Sequence, residues 1–99
     1  MPIIFHVTTA TAWNEARQQG FYTASSLADE GFVHCSQQHQ VEGVLERYFG
    51  GETGLVKLVI DTDKLASKFV FDWSPSMADT FPHVYGPINL DSVIEVVAI

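Results

Sequence analysis

Three of the four histidines in this 99-residue chain interrupt runs that are otherwise apolar. They are His6, His34 and His83. An imidazole among apolar side chains must find a hydrogen-bond partner or reach solvent. Near neutral pH it can act as a general acid, a general base or a ligand-binding donor. We take these three residues as candidate catalytic residues. The alternative interpretation is three histidines that are satisfied separately, in the core or at sheet edges.

Strand periodicity suggests which polar side chains accompany each histidine. Alternate residues of a strand share a face. This pairs the three histidines with three candidate ligand-binding residues, which are Thr8, Ser36 and Tyr85. If these faces meet, the histidines line one common polar pocket.

Other kinds of catalytic site have weaker support in the sequence. Cys35 directly follows His34, so their side chains point to opposite faces of a regular strand. Phe32 lies on the same face as His34, and Val33 lies on the same face as Cys35. We interpret Cys35 as buried and inert. Histidines and a cysteine are suitable zinc ligands, but the spacing of His34, Cys35, His39 and His83 matches no zinc motif, so we predict no metal site.

The start of one predicted helix is a candidate anion site. Ser36 is a good N-cap for a helix whose apolar residues recur at helical spacing, namely Val41, Val44, Leu45, Tyr48 and Phe49. Unpaired N–H groups at such a start favour phosphate or carboxylate. The alternative is an ordinary capped helix in which Ser36 bonds to its own first turn.

Patterning along the chain predicts an α+β class, with residues 1–99 forming a single domain. We expect a split or strongly curved, mainly antiparallel sheet of five to six strands and two main helices. The first helix ends at Gln19, with Gly20 at its C-terminal cap. The strands are predicted at Ile3–Val7, Gly31–Cys35, Leu55–Ile60, Phe69–Trp73, Phe81–Tyr85 and Ile94–Ile99.

Charge and composition exclude several classes of function. Twelve acidic against five basic residues give a net charge of −7, which argues against binding nucleic acid or an anionic membrane surface. One cysteine cannot form an internal disulfide, and no apolar run reaches the ~20 residues of a membrane span. No signal peptide is evident, so we expect a cytoplasmic protein. The acidic residues Asp29, Glu30, Glu42 and Glu46 are interpreted as a solvated face.

Several stretches resemble a known family. They are Ile4–His6, Tyr22 with Ser26–Leu27, Glu30–Ser36 and Phe81–Pro87, and they are similar to the small bacterial domain-of-unknown-function family 952. That resemblance covers nearly the whole chain. The family brings no established activity.

The resemblance implies a fold similar to the ADP-ribosyltransferase-like superfamily, in which NAD lies in a cleft between two small sheets. It implies that His6 holds the nicotinamide ribose and that His34 or Ser36 shapes the nicotinamide pocket. The late glutamate of that superfamily has no match, since the late strand offers His83 and Tyr85. Glu95 is the only acid in the closing strand, and nothing around it marks it as catalytic.

The function predicted from these observations is binding of NAD or another nucleotide-type ligand, with ADP-ribosyl transfer or hydrolysis in a histidine-lined cleft. A small anionic ligand would be held by the helix start and by protonated histidines, so its affinity should rise as the pH falls toward 6. The alternatives are a non-catalytic ligand-sensing domain and a protein-interaction domain with internally satisfied histidines.

Overall fold

The computed structural model of the chain describes residues 2–99, over which eight strands and three α-helices form a small compact α+β domain. The strands are β1 (Ile3–Thr9), β2 (Phe21–Tyr22), β3 (Val33–His34), β4 (Leu55–Asp61), β5 (Phe69–Ser74), β6 (Asp79–Val84), β7 (Ile88–Asn89) and β8 (Val93–Ala98). The helices are α1 (Ala10–Gln19), α2 (Ser25–Glu30) and α3 (Val41–Tyr48). Short 3₁₀ turns lie at Gln38–Gln40, Thr62–Lys64 and Leu90–Ser92.

The strands form three antiparallel sheets. The first has the order β1-β4-β8, the second pairs β2 with β7, and the third has the order β3-β6-β5. Two backbone hydrogen bonds of 2.7 and 2.8 Å between Phe5 and Ser36 connect β1 to the segment after β3. The first and third sheets are therefore joined where the candidate site residues of both lie.

Strand β1 is buried on both faces, which explains its nearly continuous apolar sequence. Ile4 on one face packs in the main core with Leu58 and Ile60 of β4. Phe5 on the other face packs in a second cluster that contains Val41 of α3. His6 and Leu58 are paired across the strands, so His6 lies on the face of the main core.

The ends of the helices follow ordinary capping rules. The Thr9 side chain accepts a hydrogen bond of 3.0 Å from the Ala12 N–H at the start of α1. Gly20 ends α1 with a φ of 95°, a left-handed conformation that glycine adopts without a steric penalty. The sequence prediction for Gly20 is confirmed.

The predicted numbers of strands and helices are wrong, although the α+β class and the antiparallel pairing are confirmed. The structure has eight strands over residues 2–99 because β2 and β7, with two residues each, are too short to show an alternating pattern. The strand predicted at Gly31–Cys35 is present but is shortened to β3. The third helix is α2, a segment whose sequence favours a turn or a single helical turn. The polar composition of residues 74–80 favours a mobile loop, but β5 extends to Ser74 and β6 begins at Asp79, so only residues 75–78 form the connecting turn.

Within residues 2–99, no helix has the length and apolar character needed to cross a membrane.

Candidate functional site

A cavity of about 760 Å³ opens between the first sheet and the helices. One wall is polar and comes from β1, the segment between β2 and α2, and the end of β3. Its side chains include His6, Thr8, Tyr22, Thr23, Ser25, Ser26, Glu30, His34 and Ser36. The opposite wall comes from α3 and the β5–β6 connection, and includes Val44, Tyr48, Phe49, Ser76, Met77 and Phe81.

The polar wall contains a chain of hydrogen bonds that we call the buried relay. His6 Nδ1 lies 2.5 Å from the backbone carbonyl oxygen of His34, and His6 Nε2 lies 2.8 Å from the Tyr22 hydroxyl. The Tyr22 hydroxyl lies 3.0 Å from Thr8 Oγ1. His6 and Tyr22 are only 7% and 3% exposed. Both ring nitrogens of His6 are thus engaged in hydrogen bonds within the protein, and Thr8 is the last residue of the buried relay.

Burial controls the protonation of the relay. It lowers the pKa of His6 from 6.5 to about 4, although the hydrogen bond to the His34 carbonyl opposes this shift. Burial also raises the pKa of the Tyr22 phenol. At neutral pH the relay is therefore uncharged. His6 cannot supply the positive charge that the sequence analysis expected it to offer an anionic ligand as the pH falls toward 6.

Glu30 and His34 form a second feature of the polar wall. Glu30 Oε2 lies 2.8 Å from His34 Nε2, and both side chains are about half exposed, at 51% and 54%. Glu30 ends α2 and His34 belongs to β3, so only three residues of the sequence lie between them. This pair places a solvent-accessible carboxylate at the cavity, held by an imidazole.

His83 and Tyr85 belong to a separate group on the third sheet, which we call the Tyr85 cluster. His83 Nδ1 lies 2.9 Å from Asp72 Oδ2, and the Tyr85 hydroxyl donates to the same carboxylate oxygen. The Phe32 ring stacks on the His83 ring with their centroids 4.0 Å apart. Of the residues that the structure describes, His83 and Tyr85 are not among those that line the cavity.

The prediction that all three histidines share one pocket is therefore corrected. His6 and His34 line the cavity with Thr8 and Ser36, whereas His83 lies behind His34. The physical reason is the pairing of β3 with β6, which sets His34 directly opposite His83 on one face of the third sheet, with ring centroids 5.2 Å apart. His34 thus lies between the cavity and the Tyr85 cluster.

The prediction that Ser36 caps the helix before Val41 is wrong. The backbone of Ser36 is engaged by Phe5, and α3 begins only at Val41, after a 3₁₀ turn. The Gln37 N–H donates to the Gln40 side-chain oxygen over 2.9 Å. Gln37 and Gln40 therefore cap the 3₁₀ turn that precedes α3, and the Ser36 side chain caps neither element.

Cys35 is buried beside the cavity, and burial raises the pKa of its thiol, which agrees with its interpretation as an inert core residue. Across residues 2–99, no group of three or more histidine, cysteine, aspartate or glutamate side chains has an arrangement that could hold a metal ion.

Five side chains of the polar wall were not predicted as site residues, and two of them, Tyr22 and Glu30, take part in its hydrogen bonds. Tyr22 is the one polar-tipped aromatic in the extended stretch 21–23, which could have marked it, and its partners lie 14 and 16 positions away. Glu30 was assigned to a solvated acidic face. Its spacing of four from His34 was the available sign of an ion pair.

The charges at the cavity do not favour an anion. Among the residues that the structure describes, the lining contains no lysine or arginine, and Glu30 is acidic. Hydroxyl groups and aromatic rings dominate instead.

Comparisons with known proteins found a family model and solved structures that match the chain. The model of a family described as "Protein of unknown function (DUF952)" matches residues 7–96. The crystal structure of protein CC0527 from Caulobacter crescentus is similar, with 28% identity and a TM-score of 0.85, over 97% of this chain and 84% of that chain. The solution NMR structure of CC0527 shares the fold at 24% identity and a TM-score of 0.84, over 100% of this chain and 85% of that chain. No curated protein matches this chain.

Proposed function

We propose that this chain, which belongs to the DUF952 family of proteins of unknown function, binds NAD or a related nucleotide by its riboside end. The observation that carries this proposal is the polar wall of the cavity, where the Glu30–His34 pair and the buried relay face the same space. The cavity volume of about 760 Å³ falls within the range of small-molecule sites, roughly 300–1,000 Å³.

The composition of the two walls supports a riboside. A ribose presents hydroxyl donors, and carboxylate and hydroxyl oxygens such as those of Glu30, Thr8 and Ser26 accept from them. The aromatic rings of Tyr48 and Phe49 on the opposite wall offer faces to a planar base. A nicotinamide ring in NAD carries a positive charge, which suits the carboxylate of Glu30.

The phosphates of such a ligand need a different location. Within the described part of the chain, no lysine or arginine lines the cavity, so a diphosphate gains nothing by being desolvated there. We place it at the open mouth, in water. The riboside half of the ligand, which is positively charged or neutral, then enters the cavity, and the anionic diphosphate half does not.

The reaction we propose is transfer of the ADP-ribosyl group, to water or to an acceptor hydroxyl. The bond between C1′ and the nicotinamide nitrogen breaks, and its electron pair leaves with nicotinamide, which becomes neutral. The acceptor oxygen forms a bond to C1′, and its proton passes to the Glu30–His34 pair. The carboxylate of Glu30 stabilises the positive charge that develops on the sugar. An ADP-ribosyltransferase-like architecture is part of the same proposal.

The test separates binding from turnover. NAD, nicotinamide riboside and ADP-ribose are titrated into ¹⁵N-labelled protein, and released nicotinamide is followed by proton NMR. We expect NAD and nicotinamide riboside to shift the amide resonances of Thr8, Tyr22 and Glu30. Glu30→Gln should lower turnover at least about a hundredfold while binding persists. Glu42→Gln, an exposed acid of α3 that does not line the cavity, is the matched control.

Two outcomes contradict parts of the proposal. If the riboside binds and no nicotinamide is released, the chain is a ligand-sensing domain without the transfer reaction. If neither NAD nor nicotinamide riboside shifts a cavity resonance, the nucleotide proposal is wrong, and the protein-interaction alternative takes its place.

A further inference from the structure

The donors and acceptors of the buried relay can be assigned in order, starting from the backbone carbonyl of His34. The backbone carbonyl of His34 can only accept, so His6 Nδ1, 2.5 Å away, must carry the proton. His6 is neutral near pH 7, because burial lowers its pKa to about 4. A neutral imidazole carries a single N–H, and Nε2 is then an acceptor.

The tautomer of His6 determines the proton positions at Tyr22 and Thr8. Tyr22 has one proton, and its oxygen lies 2.8 Å from His6 Nε2, so the phenol must donate there to avoid opposing two lone pairs. Because the single Tyr22 proton is committed to His6 Nε2, the Thr8 hydroxyl must donate across the 3.0 Å contact between Thr8 Oγ1 and the Tyr22 oxygen, although the geometry of that contact by itself fits Tyr22 as the donor. The hydroxyl proton of Thr8 is consequently directed inward, away from the cavity that Thr8 lines.

We propose that Thr8 determines ligand specificity, because its oxygen offers the cavity an acceptor and requires a donor from the ligand. This inference rests on the proposed function and names its substrate class, which is a riboside with a free hydroxyl at the position facing Thr8. A methyl ether or a phosphate ester at that position presents only acceptors. The role differs from the one that the family resemblance implies for His6, whose two nitrogens are already occupied.

Rejection of the wrong ligand is expected to be strong for a physical reason. A site that hydrogen-bonds a substrate hydroxyl discriminates against the analogue without it, since a buried polar group is then left without its partner. Thr8 is 8% exposed, so water reaches its oxygen poorly once a ligand fills the cavity.

The first experiment measures the relay in the free wild-type protein. Two-bond proton–nitrogen NMR correlations identify which ring nitrogen of a histidine carries the proton. We expect His6 to be protonated at Nδ1 between pH 6 and 8. Protonation at Nε2 would overturn the assignment whatever ligand the cavity binds.

The second experiment measures discrimination between nicotinamide riboside and its 2′- and 3′-O-methyl ethers. One of the two ethers should bind about tenfold or more weakly than the riboside in the wild-type protein. In Thr8→Val, the ratio of the dissociation constant of that ether to the dissociation constant of the riboside should fall toward one. Thr53→Val, which removes the hydroxyl of an exposed threonine that does not line the cavity, is the matched control and should keep the wild-type ratio.

The outcomes separate this inference from the proposed function. If the riboside binds and both ethers bind equally well, the specificity role of Thr8 is wrong while nucleotide binding stands. If Thr8→Val does not fold, Thr8→Ala replaces it and should also bring the ratio toward one, while Thr8→Ser, which retains the hydroxyl, should keep the wild-type ratio. A wild-type ratio in Thr8→Ala would overturn the role. If the riboside does not bind, the proposal that the ligand is a riboside is overturned. The tautomer of His6 then tests only the assignment of donors and acceptors in the buried relay.

Discussion

The buried relay and the Tyr85 cluster are built from the same residue types in two different settings. Each joins a tyrosine hydroxyl to a histidine ring by hydrogen bonds. In the relay the histidine is anchored on a backbone carbonyl, and both rings are almost fully buried. In the cluster His83 and Tyr85 meet on the Asp72 carboxylate, and Tyr85 is 42% exposed. One network is therefore neutral and dry, and the other is charged and wet.

The causes of the pKa shifts show what this difference means. In the relay, burial is the main cause of the low pKa of His6 and the raised pKa of Tyr22. In the cluster, the hydrogen bond from Tyr85 is the main cause of the lowered pKa of Asp72, and the same bond raises the pKa of Tyr85. Solvent exclusion controls the first network, whereas a partner group controls the second.

The largest expected effect is the response of the relay to acid. The pKa of His6 is about 4 in the folded chain and about 6.5 in the unfolded chain, so the unfolded chain takes up the proton first as the pH falls. The stability that this group contributes is complete above pH 6.5 and is lost down to pH 4. We expect the free energy of unfolding to fall by about 3 kcal/mol over this window, measured by urea denaturation at each pH.

The control for the acid response is His6→Gln, which removes the titrating group and should flatten the stability profile between pH 6.5 and 4. The carboxyls of Asp72 and Asp79 have lowered pKa values, so their contributions are lost below their ordinary pKa of 3.8, outside this window. A wild-type profile that stays flat down to pH 4 would show that His6 is not held neutral by burial.

The next effect compares removal of one oxygen from each network. Tyr22→Phe leaves Nε2 of the buried His6 without its donor, so it should lower the free energy of unfolding by about 1–3 kcal/mol. Tyr85→Phe removes a hydrogen bond that water can replace and should cost clearly less. Denaturation of both variants at pH 7.5 gives the difference. Equal costs would mean that burial does not distinguish the networks.

The smallest effect is a change in the titration of one carboxyl. Because the Tyr85 hydroxyl is the main cause of the lowered pKa of Asp72, Tyr85→Phe should raise that pKa toward its ordinary value. Carbon-13 NMR of the side-chain carboxyl follows this titration. Tyr48→Phe, on exposed α3, provides the control and should leave Asp72 unchanged. An unchanged Asp72 in Tyr85→Phe would assign the shift to His83 instead.

Local periodicity predicted the relay only in part. The alternation of β1 correctly set His6 and Thr8 on one face, and the alternation of the stretch Phe32–Cys35 correctly separated the exposed His34 from the buried Cys35. Tyr22 was missed because its role depends on a two-residue strand that pairs with β7, more than 60 positions away. Nothing local to Tyr22 encodes that pairing.

Sequence periodicity could not predict which histidines lie together, for a related reason. Faces can be assigned within a strand, but which faces meet depends on how the sheets are joined. Here the Phe5–Ser36 bridge and the pairing of His34 with His83 decide that question. Ser36 was expected to cap a helix, since its type suits a cap, yet its backbone is used to connect two sheets.

The anchoring of His6 on a main-chain oxygen has a consequence for mutational scanning. Position 34 contributes its carbonyl to the relay and its ring to Glu30 and His83. Replacing the side chain at position 34 with alanine deletes the second contribution and leaves the first in place. An alanine scan would therefore score position 34 as unconnected to His6, although the two residues share a hydrogen bond. A backbone substitution reaches the link: an ester at the bond between residues 34 and 35 weakens the carbonyl as an acceptor, and it also removes the Cys35 N–H that donates to the Pro82 carbonyl.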